Sequence, residues 1–291
     1  MGRFLHRRGW LTPYALLTPG MGWLLVFFVV PMYYLGKMSL EQGLFPLFSF
    51  GWAWSNFSDA VSAYQTQFVR SLQYAGIATA IALAISYPLA YWIAFRGGRW
   101  KNLFLLLVIA PFFVTYLIRT LAWETILSDN GVVVTFLHNI HVLGSNGRLL
   151  ATSAAVIAGI TYNFLPFMVL PIYASLERVD PRLIEAAKDL YASSRAAFVK
   201  VTLPLSAPGV VAGTLLTFIP ASGDYVNAFF LGGPNNTMLG NTIQGLYLNT
   251  RDYPAAAALS FVLMAVIMVI VFVYIRFAGS EALMGEEATP V

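Results

Sequence analysis

The chain has 291 residues, of which 58% are hydrophobic and only 10% are charged, and it contains no cysteine. This composition excludes an ordinary soluble domain, and the lack of cysteine excludes disulfide bonds and thiolate metal sites. Apolar runs of roughly 20 residues recur, the length at which a helix crosses a hydrocarbon core of ~30 Å. Because the runs are unbroken rather than alternating, we predict an all-α integral membrane protein. The net charge of +4 is weak evidence for nucleic acid, which we do not expect as a partner.

Six apolar runs are predicted to span the membrane. The first is expected to be a retained span, because it is too long for the core of a signal peptide. A polar, aromatic-rich loop is predicted at 37–67. Proline is expected to break the second, fourth and fifth spans, at Pro88, Pro166, Pro171 and Pro220, and Gly223 to interrupt the fifth as well. The predicted spans are 14–36, 68–95, 103–121, 150–176, 205–230 and 254–277.

The basic residues predict the orientation of these spans. An even number of spans places both termini on one side of the membrane, and most of the 17 Lys and Arg residues fall on that side. By the positive-inside rule, the termini and the polar segment 178–205 are predicted to be cytoplasmic. The residues concerned are Arg3, Arg7, Arg8, Arg96, Arg99, Lys101, Arg178, Arg182, Lys188, Arg195, Lys200 and Arg276.

The longest polar, charged run extends from Asp180 to Pro204 and is predicted to form two short helices joined by a turn. Asp180 is expected to cap the first helix, with Pro181 at the position where a missing N–H costs least. Ser193 or Ser194 is expected to cap the second helix, which the Leu203-Pro204 pair should end. A helical pair held in water between two spans is suited to docking a partner.

Several motifs that carry chemistry are absent from the sequence. It contains neither G-x-x-x-x-G-K-[ST] nor H-E-x-x-H nor G-x-S-x-G, so it lacks the P-loop, the zinc-protease motif and the nucleophile elbow. His138 and His141 lie in a polar external segment without an obvious third ligand, which favours a solvated loop over a metal site. We therefore predict a non-catalytic chain that binds no metal and no cofactor of its own.

Two acidic residues fall near the predicted membrane depth. Asp224 lies in or at the outer end of the fifth span, and Glu124 at the end of the third. An ionised carboxylate is costly there unless it is paired or faces a wet cavity. One interpretation is an ion pair, of Glu124 with Arg119 or of Asp224 with a basic residue elsewhere. The other is a path for a cationic solute, lined by these carboxylates and by the rings of Trp123, Tyr162 and Tyr225.

Glu185-Ala-Ala, followed by Val201, Leu203 and Pro204 at fixed spacing, resembles the EAA signature of ABC importer permeases, E-A-A-x3-G-x9-I-x-L-P. Tyr191 departs from it, because the family glycine falls at this position. Further segments resemble permeases of spermidine/putrescine importers, and the likeness covers roughly 68–277. Those segments are Ile118–Trp123, Tyr162–Pro171, Ile219–Tyr225, Leu231–Pro234 and Gly240-Asn241. Pro208-Gly209 belongs instead to the resemblance with the EAA signature, which a P-G follows.

This resemblance implies a type I ABC importer permease fold of the MetI-like kind. A single permease domain would occupy 1–291, with its core at 68–277 and a cytoplasmic coupling loop at 178–205. It implies polyamine import driven by ATP and Mg²⁺ on a separate ATPase, in the cytoplasmic membrane of a prokaryote. Expected partners are two ABC ATPase subunits, a second permease subunit in a heterodimer, an extracytoplasmic solute-binding protein and lipid. The residues implied in coupling are Glu185, Ala186, Ala187, Asp189, Tyr191, Leu203 and Pro204.

Alternatives remain open at this stage. The solute of an ABC permease could instead be thiamine, a metal complex or a phosphonate, and a self-sufficient secondary transporter or a membrane anchor would also be apolar. At Tyr191, either the turn stays in a right-handed conformation or the tyrosine ring packs against the ATPase.

Overall fold

The computed structural model describes residues 12–279 except 142, 145 and 146. Helices dominate this part of the chain, and its strands form a single two-stranded hairpin. The predicted all-α membrane fold is confirmed. Five helices are long and apolar enough to cross a membrane, and a bent pair would make a sixth if its two helices form one span. The five are Leu16–Ser39, Gln65–Arg96, Ser153–Glu177, Ser194–Ser222 and Tyr253–Phe277.

The elements are numbered in chain order. The hairpin consists of β1 (Glu41–Leu44) and β2 (Leu47–Phe50), with Glu41 opposite Phe50. The α-helices are α1 (Thr12–Leu24), α2 (Val30–Ser39), α3 (Ser55–Ala63), α4 (Gln65–Arg96), α5 (Lys101–Ile109), α6 (Tyr116–Leu127), α7 (Val132–Asn139), α8 (Ser153–Glu177), α9 (Pro181–Asp189), α10 (Ser194–Ala197), α11 (Leu203–Ser222), α12 (Val226–Leu231), α13 (Leu239–Gly245) and α14 (Tyr253–Tyr274).

The described residues fall into two compact units. The smaller comprises 12–63 and 245–262. The segment predicted as a loop at 37–67 is in fact ordered there, because the hairpin and α3 occupy most of it. The Asn56 side chain donates hydrogen bonds to the carbonyl oxygens of Ser39 and Glu41, both at 2.9 Å. These bonds fix the start of α3 against the hairpin.

The larger unit comprises 64–244 and 263–279, and its core is built from α4, α8 and α11. Along α4, small residues recur on one face and are fully buried, which lets the neighbouring helices approach closely. In membranes this close packing substitutes for the hydrophobic effect, since lipid is as apolar as the helices. The fully buried small residues of α4 are Ser71, Ala75, Ala78, Ala82, Ser86 and Ala90.

The predicted proline breaks are largely wrong. Pro88 lies inside the continuous helix α4, Pro166 and Pro171 lie inside α8, and Pro220 lies inside α11. Proline removes one backbone donor, but packed neighbouring helices stabilise a membrane helix through such a defect. The predicted interruption at Gly223 is confirmed, because α11 ends at Ser222.

The third span is not the single helix predicted at 103–121. Gly98–Phe113 and Tyr116–Asn139 meet at an angle of 92°. A 3₁₀ turn, Ala110–Phe113, has Pro111 as its second residue, and Val114 then adopts an extended conformation with ψ of 135°. Extended backbone cannot continue the i to i−4 hydrogen bonds, so the chain changes direction here. The bend places α6 where it packs against α12.

Candidate functional site

The polar run after α8 forms the exposed helix α9, and its start is as predicted. Asp180 Oδ1 accepts a hydrogen bond from the Arg182 N–H at 2.9 Å, and Pro181 is the first helical residue. Glu185 and Ala186 are exposed on this helix, and Ala187 is half-buried. Asp189 is its last residue. The helix therefore presents the Glu-Ala-Ala segment toward its surroundings.

The end of α9 explains the family glycine at the position of Tyr191. The Ala192 N–H donates to the Ala187 carbonyl at 3.0 Å, and the Tyr191 N–H to that of Lys188 at 2.9 Å. This pair of bonds is a Schellman motif, whose C′ residue must be left-handed. Tyr191 has φ of 61°, a conformation that costs a non-glycine residue about 1–2 kcal/mol. The expectation of a right-handed turn is thus wrong.

The second helix of the run does not end where it was predicted to end. Ser193 caps it, with Oγ accepting from the Ala196 N–H at 3.2 Å. α10 then passes through a π-helical turn, Phe198–Thr202, directly into α11. A π-turn shifts the hydrogen-bond register by one residue, which accommodates a proline at the following helical position. Leu203 and Pro204 accordingly start α11, and the whole helix from Ser194 to Ser222 is one 29-residue element.

Close contact of backbones joins this long helix to α8. A Cβ atom added at Gly209 would collide with the carbonyl oxygen of Pro171, and one at Gly213 would lie 2.9 Å from Met168 Sδ. The two glycines are four residues apart and lie on one helix face, a small-xxx-small pattern typical of membrane helix pairs. The two helices are therefore closely packed at this face.

Asp224 lies just beyond the far end of α11 and forms the centre of a buried polar cluster. Its side chain is only 7% exposed. Oδ2 accepts hydrogen bonds from the Tyr116 hydroxyl and, at 2.6 Å, from Asn227 Nδ2. Oδ1 accepts from the Asn227 N–H at 3.0 Å. Asn163 Nδ2 of α8 donates to Asn227 Oδ1 at 3.1 Å, so the cluster joins α6, α8 and α12.

Arg119 lies next to this cluster and is also buried. Its guanidinium carbon lies 5.0 Å from the centre of the Phe112 ring and 5.7 Å from that of Tyr116. Nε and Nη1 have no hydrogen-bond partner among the described residues. Aromatic faces thus replace the ion pair considered for Arg119, since Glu124 does not pair with it within the described part of the chain.

The predicted path residues fall into separate places. Trp123 and Tyr162 touch edge to face, with ring centres 5.5 Å apart, and line an apolar groove of about 510 Å³ between α4 and α8. Tyr225 is exposed, and its carbonyl oxygen accepts from Asn241 Nδ2 at 2.8 Å. Glu124 is half-buried on α6. That these residues and Asp224 line a solute path stays a prediction, as do the coupling roles of Glu185 and its neighbours.

Sequence reasoning missed the partners of Asp224. Tyr116, Asn163 and Asn227 are polar residues in or beside apolar segments, and such residues are rarely placed without a role. The polarity of these residues could have marked them as candidates, but the sequence alone could not show that their side chains meet at Asp224. Ser71 was missed as well: its buried Oγ accepts from the Leu239 N–H at 2.7 Å and holds the segment that follows α12 against α4.

The class of protein follows from comparison with known families. The family described as "Binding-protein-dependent transport system inner membrane component" matches residues 86–282. The chain belongs to this family, and it is a multi-pass protein of the cytoplasmic membrane. Its EAA segment, α11 and the Asp224 cluster all fall within the matched region.

Particular relatives are similar over most of the chain. The spermidine/putrescine transport system permease protein PotB of Haemophilus influenzae is 36% identical over 256 residues, 87% of this chain and 90% of that protein. PotB of Escherichia coli is 35% identical, over 88% of this chain and 94% of that protein. The E. coli inner membrane ABC transporter permease protein YdcU is 31% identical, over 70% and 68% respectively.

Solved structures are similar in fold. A chain of a bacterial alginate ABC transporter, in complex with an alginate-bound periplasmic protein, has a TM-score of 0.70 at 21% identity over 94% of this chain and 96% of that one. A chain of the MetNI methionine ABC transporter has a TM-score of 0.52 at 19% identity, over 76% and 94% respectively. At these identities the likeness concerns the fold, and it confirms the expected MetI-like ABC permease architecture.

Proposed function

We propose that this chain is a permease subunit of an ATP-driven importer that carries polyamines such as spermidine and putrescine. One observation carries the proposal: an exposed, capped helix bearing Glu185-Ala-Ala is joined by a short turn to a helix that continues to Ser222. Such an arrangement can convert the movement of a docked partner into the tilt of a membrane helix. The names of the two PotB relatives support the choice of solute.

The helix from Ser194 to Ser222 is long enough to connect two sites of the proposed function. A helix of 29 residues extends about 43 Å at 1.5 Å per residue, which exceeds the ~30 Å hydrocarbon core. α9 lies before its first turn, and Asp224 lies just beyond its last. When α9 moves, the close contact at Gly209 requires α8 to move with α11, and the Asp224 cluster joins both to α6. Through this connection, movement at one end changes the packing at the other.

The proposed function requires several partner proteins. In this proposal two ABC ATPase subunits bind ATP and Mg²⁺ and dock on α9 from the cytoplasm, where both termini also lie. A second permease subunit completes the membrane pathway, and an extracytoplasmic protein delivers the solute. This chain would itself hydrolyse nothing. Asp224, Glu124 and nearby rings would supply carboxylates and π faces to a protonated amine.

The proposal is tested by uptake into proteoliposomes that contain the assembled importer. We expect ATP-dependent uptake of radiolabelled spermidine or putrescine, with competition by the other polyamine and none by thiamine. Glu185→Arg should abolish uptake without changing membrane insertion, whereas the control Asp59→Arg, on the external helix α3, should leave it unchanged. Uptake that continues without ATP, or that survives Glu185→Arg, would contradict the proposed mechanism.

A further inference from the structure

We propose that Tyr191, together with Leu190, is an apolar anchor that inserts into a pocket on the ATPase subunit. The inference rests on the proposed function, since it places that subunit against α9. The Tyr191 side chain is 99% exposed and that of Leu190 is 82% exposed. Both residues belong to the turn that links the coupling helix to the long membrane helix.

The first argument is that no side-chain contact among the described residues offsets the backbone strain at Tyr191, which only the main-chain bonds of the Schellman motif oppose. Two other large residues with positive φ have packing partners of their own: the Trp52 ring lies 5.0 Å from that of Phe50, and the Arg251 guanidinium lies 4.7 Å above the Phe45 ring. The Tyr191 side chain, being almost fully exposed, gains no comparable contact. Strained residues persist where function requires them, and a glycine would relieve the strain here.

The second argument is that Tyr191 follows an exposed apolar face of α9. Leu183, Ala186 and Leu190 are exposed and recur at i, i+3 and i+7, so they lie along one face of α9. Tyr191 follows directly and extends this apolar face beyond the end of the helix. Contiguous exposed apolar groups outside the membrane mark an interaction surface.

The third argument identifies the occupant as protein rather than lipid. A helix that binds a membrane surface has a strongly basic polar face, whereas the polar residues of α9 carry both signs. These are Arg182, Glu185, Lys188 and Asp189. Mixed charges around an apolar centre are typical of the rim of a protein interface, and tyrosine is enriched among the residues that dominate binding. The occupant must also act on this helix, which points to the ATPase.

The test separates the ring from the backbone. Tyr191→Phe keeps the ring, Tyr191→Ala removes it but keeps the strained φ, and Tyr191→Gly removes both. The affinity of the detergent-solubilised permease complex for its own purified ATPase subunit is measured for each variant. Trp54→Ala, an exposed aromatic residue before α3, is the matched control. We expect binding within about twofold of wild type for the Phe variant and the control, and at least about tenfold weaker binding for both Ala and Gly.

The outcomes are distinct. If Tyr191→Gly binds the ATPase as tightly as wild type, the anchor is refuted while the proposed function stands. Weakening in the Ala variant alone would likewise overturn it, because the strained backbone would then be the cause. If the wild-type complex does not bind the ATPase at all, the proposed function itself fails. Weaker binding of a Leu190→Ala variant would support the anchor as proposed, and unchanged binding would overturn the part assigned to Leu190.

Discussion

The backbone N–H of Gly209 donates a hydrogen bond to Ser175 Oγ at 3.1 Å, so the main chain of α11 lies directly against α8. Only a residue without Cβ fits at this point, because Pro171 and Ser175 occupy the space where a Cβ would lie. The contact lies about one and a half helical turns into α11. It fixes the first part of α11 against the core helix α8.

Gly209→Ala is therefore expected to destabilise the protein. The added methyl group meets backbone atoms that cannot move aside, and overpacking of this kind costs about 1–3 kcal/mol. The midpoint of thermal unfolding in detergent should fall. Gly76→Ala is the matched control, because a Cβ at Gly76 has nothing within 4 Å and alanine favours a helix by about 1 kcal/mol. An equal effect of both changes would contradict the close-contact interpretation.

Asp224 and Tyr116 are expected to be energetically coupled. Each of Asp224→Leu and Tyr116→Phe removes a hydrogen bond to a buried partner, and a group left unpaired costs about 1–3 kcal/mol. The double variant should cost less than the sum of the two, because the second change removes a partner that is already unpaired. Denaturation of all four proteins completes the cycle. Strictly additive losses of stability would show that the bond between Tyr116 and Asp224 contributes little. As a control, Glu124→Gln should change the free energy of unfolding by less than about 0.5 kcal/mol.

The N-terminal cap of α9 gives a local prediction. Asp180→Ala removes the acceptor for the Arg182 N–H and should destabilise α9 by about 1 kcal/mol. Because α9 is exposed, the loss should appear as faster amide hydrogen exchange in 182–185, with global stability nearly unchanged. Asp180→Asn, which retains a capping oxygen, is the control and should exchange like wild type. Faster exchange throughout α8 as well would argue against a local cap.

Ser71 should stabilise the segment that follows α12. Ser71→Ala leaves the Leu239 N–H without its acceptor in a buried position, at a cost of about 1–3 kcal/mol. Limited proteolysis should then cut the chain near residues 232–240 sooner than in wild type. Ser62→Ala, at an exposed serine of α3, should leave the cleavage rate unchanged. If the Ser71 variant resists proteolysis as well as wild type does, Ser71 does not stabilise this segment.

The sequence by itself determined the features that depend on local chemistry. The length of the apolar runs required membrane helices, since a lipid interior leaves no other partner for the backbone groups. Asp180 and Ser193 cap their helices by bonds to residues two and three positions ahead. Gly223 interrupts the fifth span as predicted, and the spacing around Glu185 indicated the family. Each of these depends on residues within a few turns of one another.

Only the tertiary structure decided the features that depend on distant partners. Tyr116 and Asp224 are 108 residues apart, and no local pattern pairs them. The helices continue through Pro166 and Pro171 because packing against neighbours stabilises backbone groups that proline leaves free. At Tyr191 the Schellman bonds require a left-handed residue, although tyrosine disfavours that conformation. A few hydrogen bonds and close contacts between helices outweighed local preference at these positions, and their energies exist only once the helices have packed.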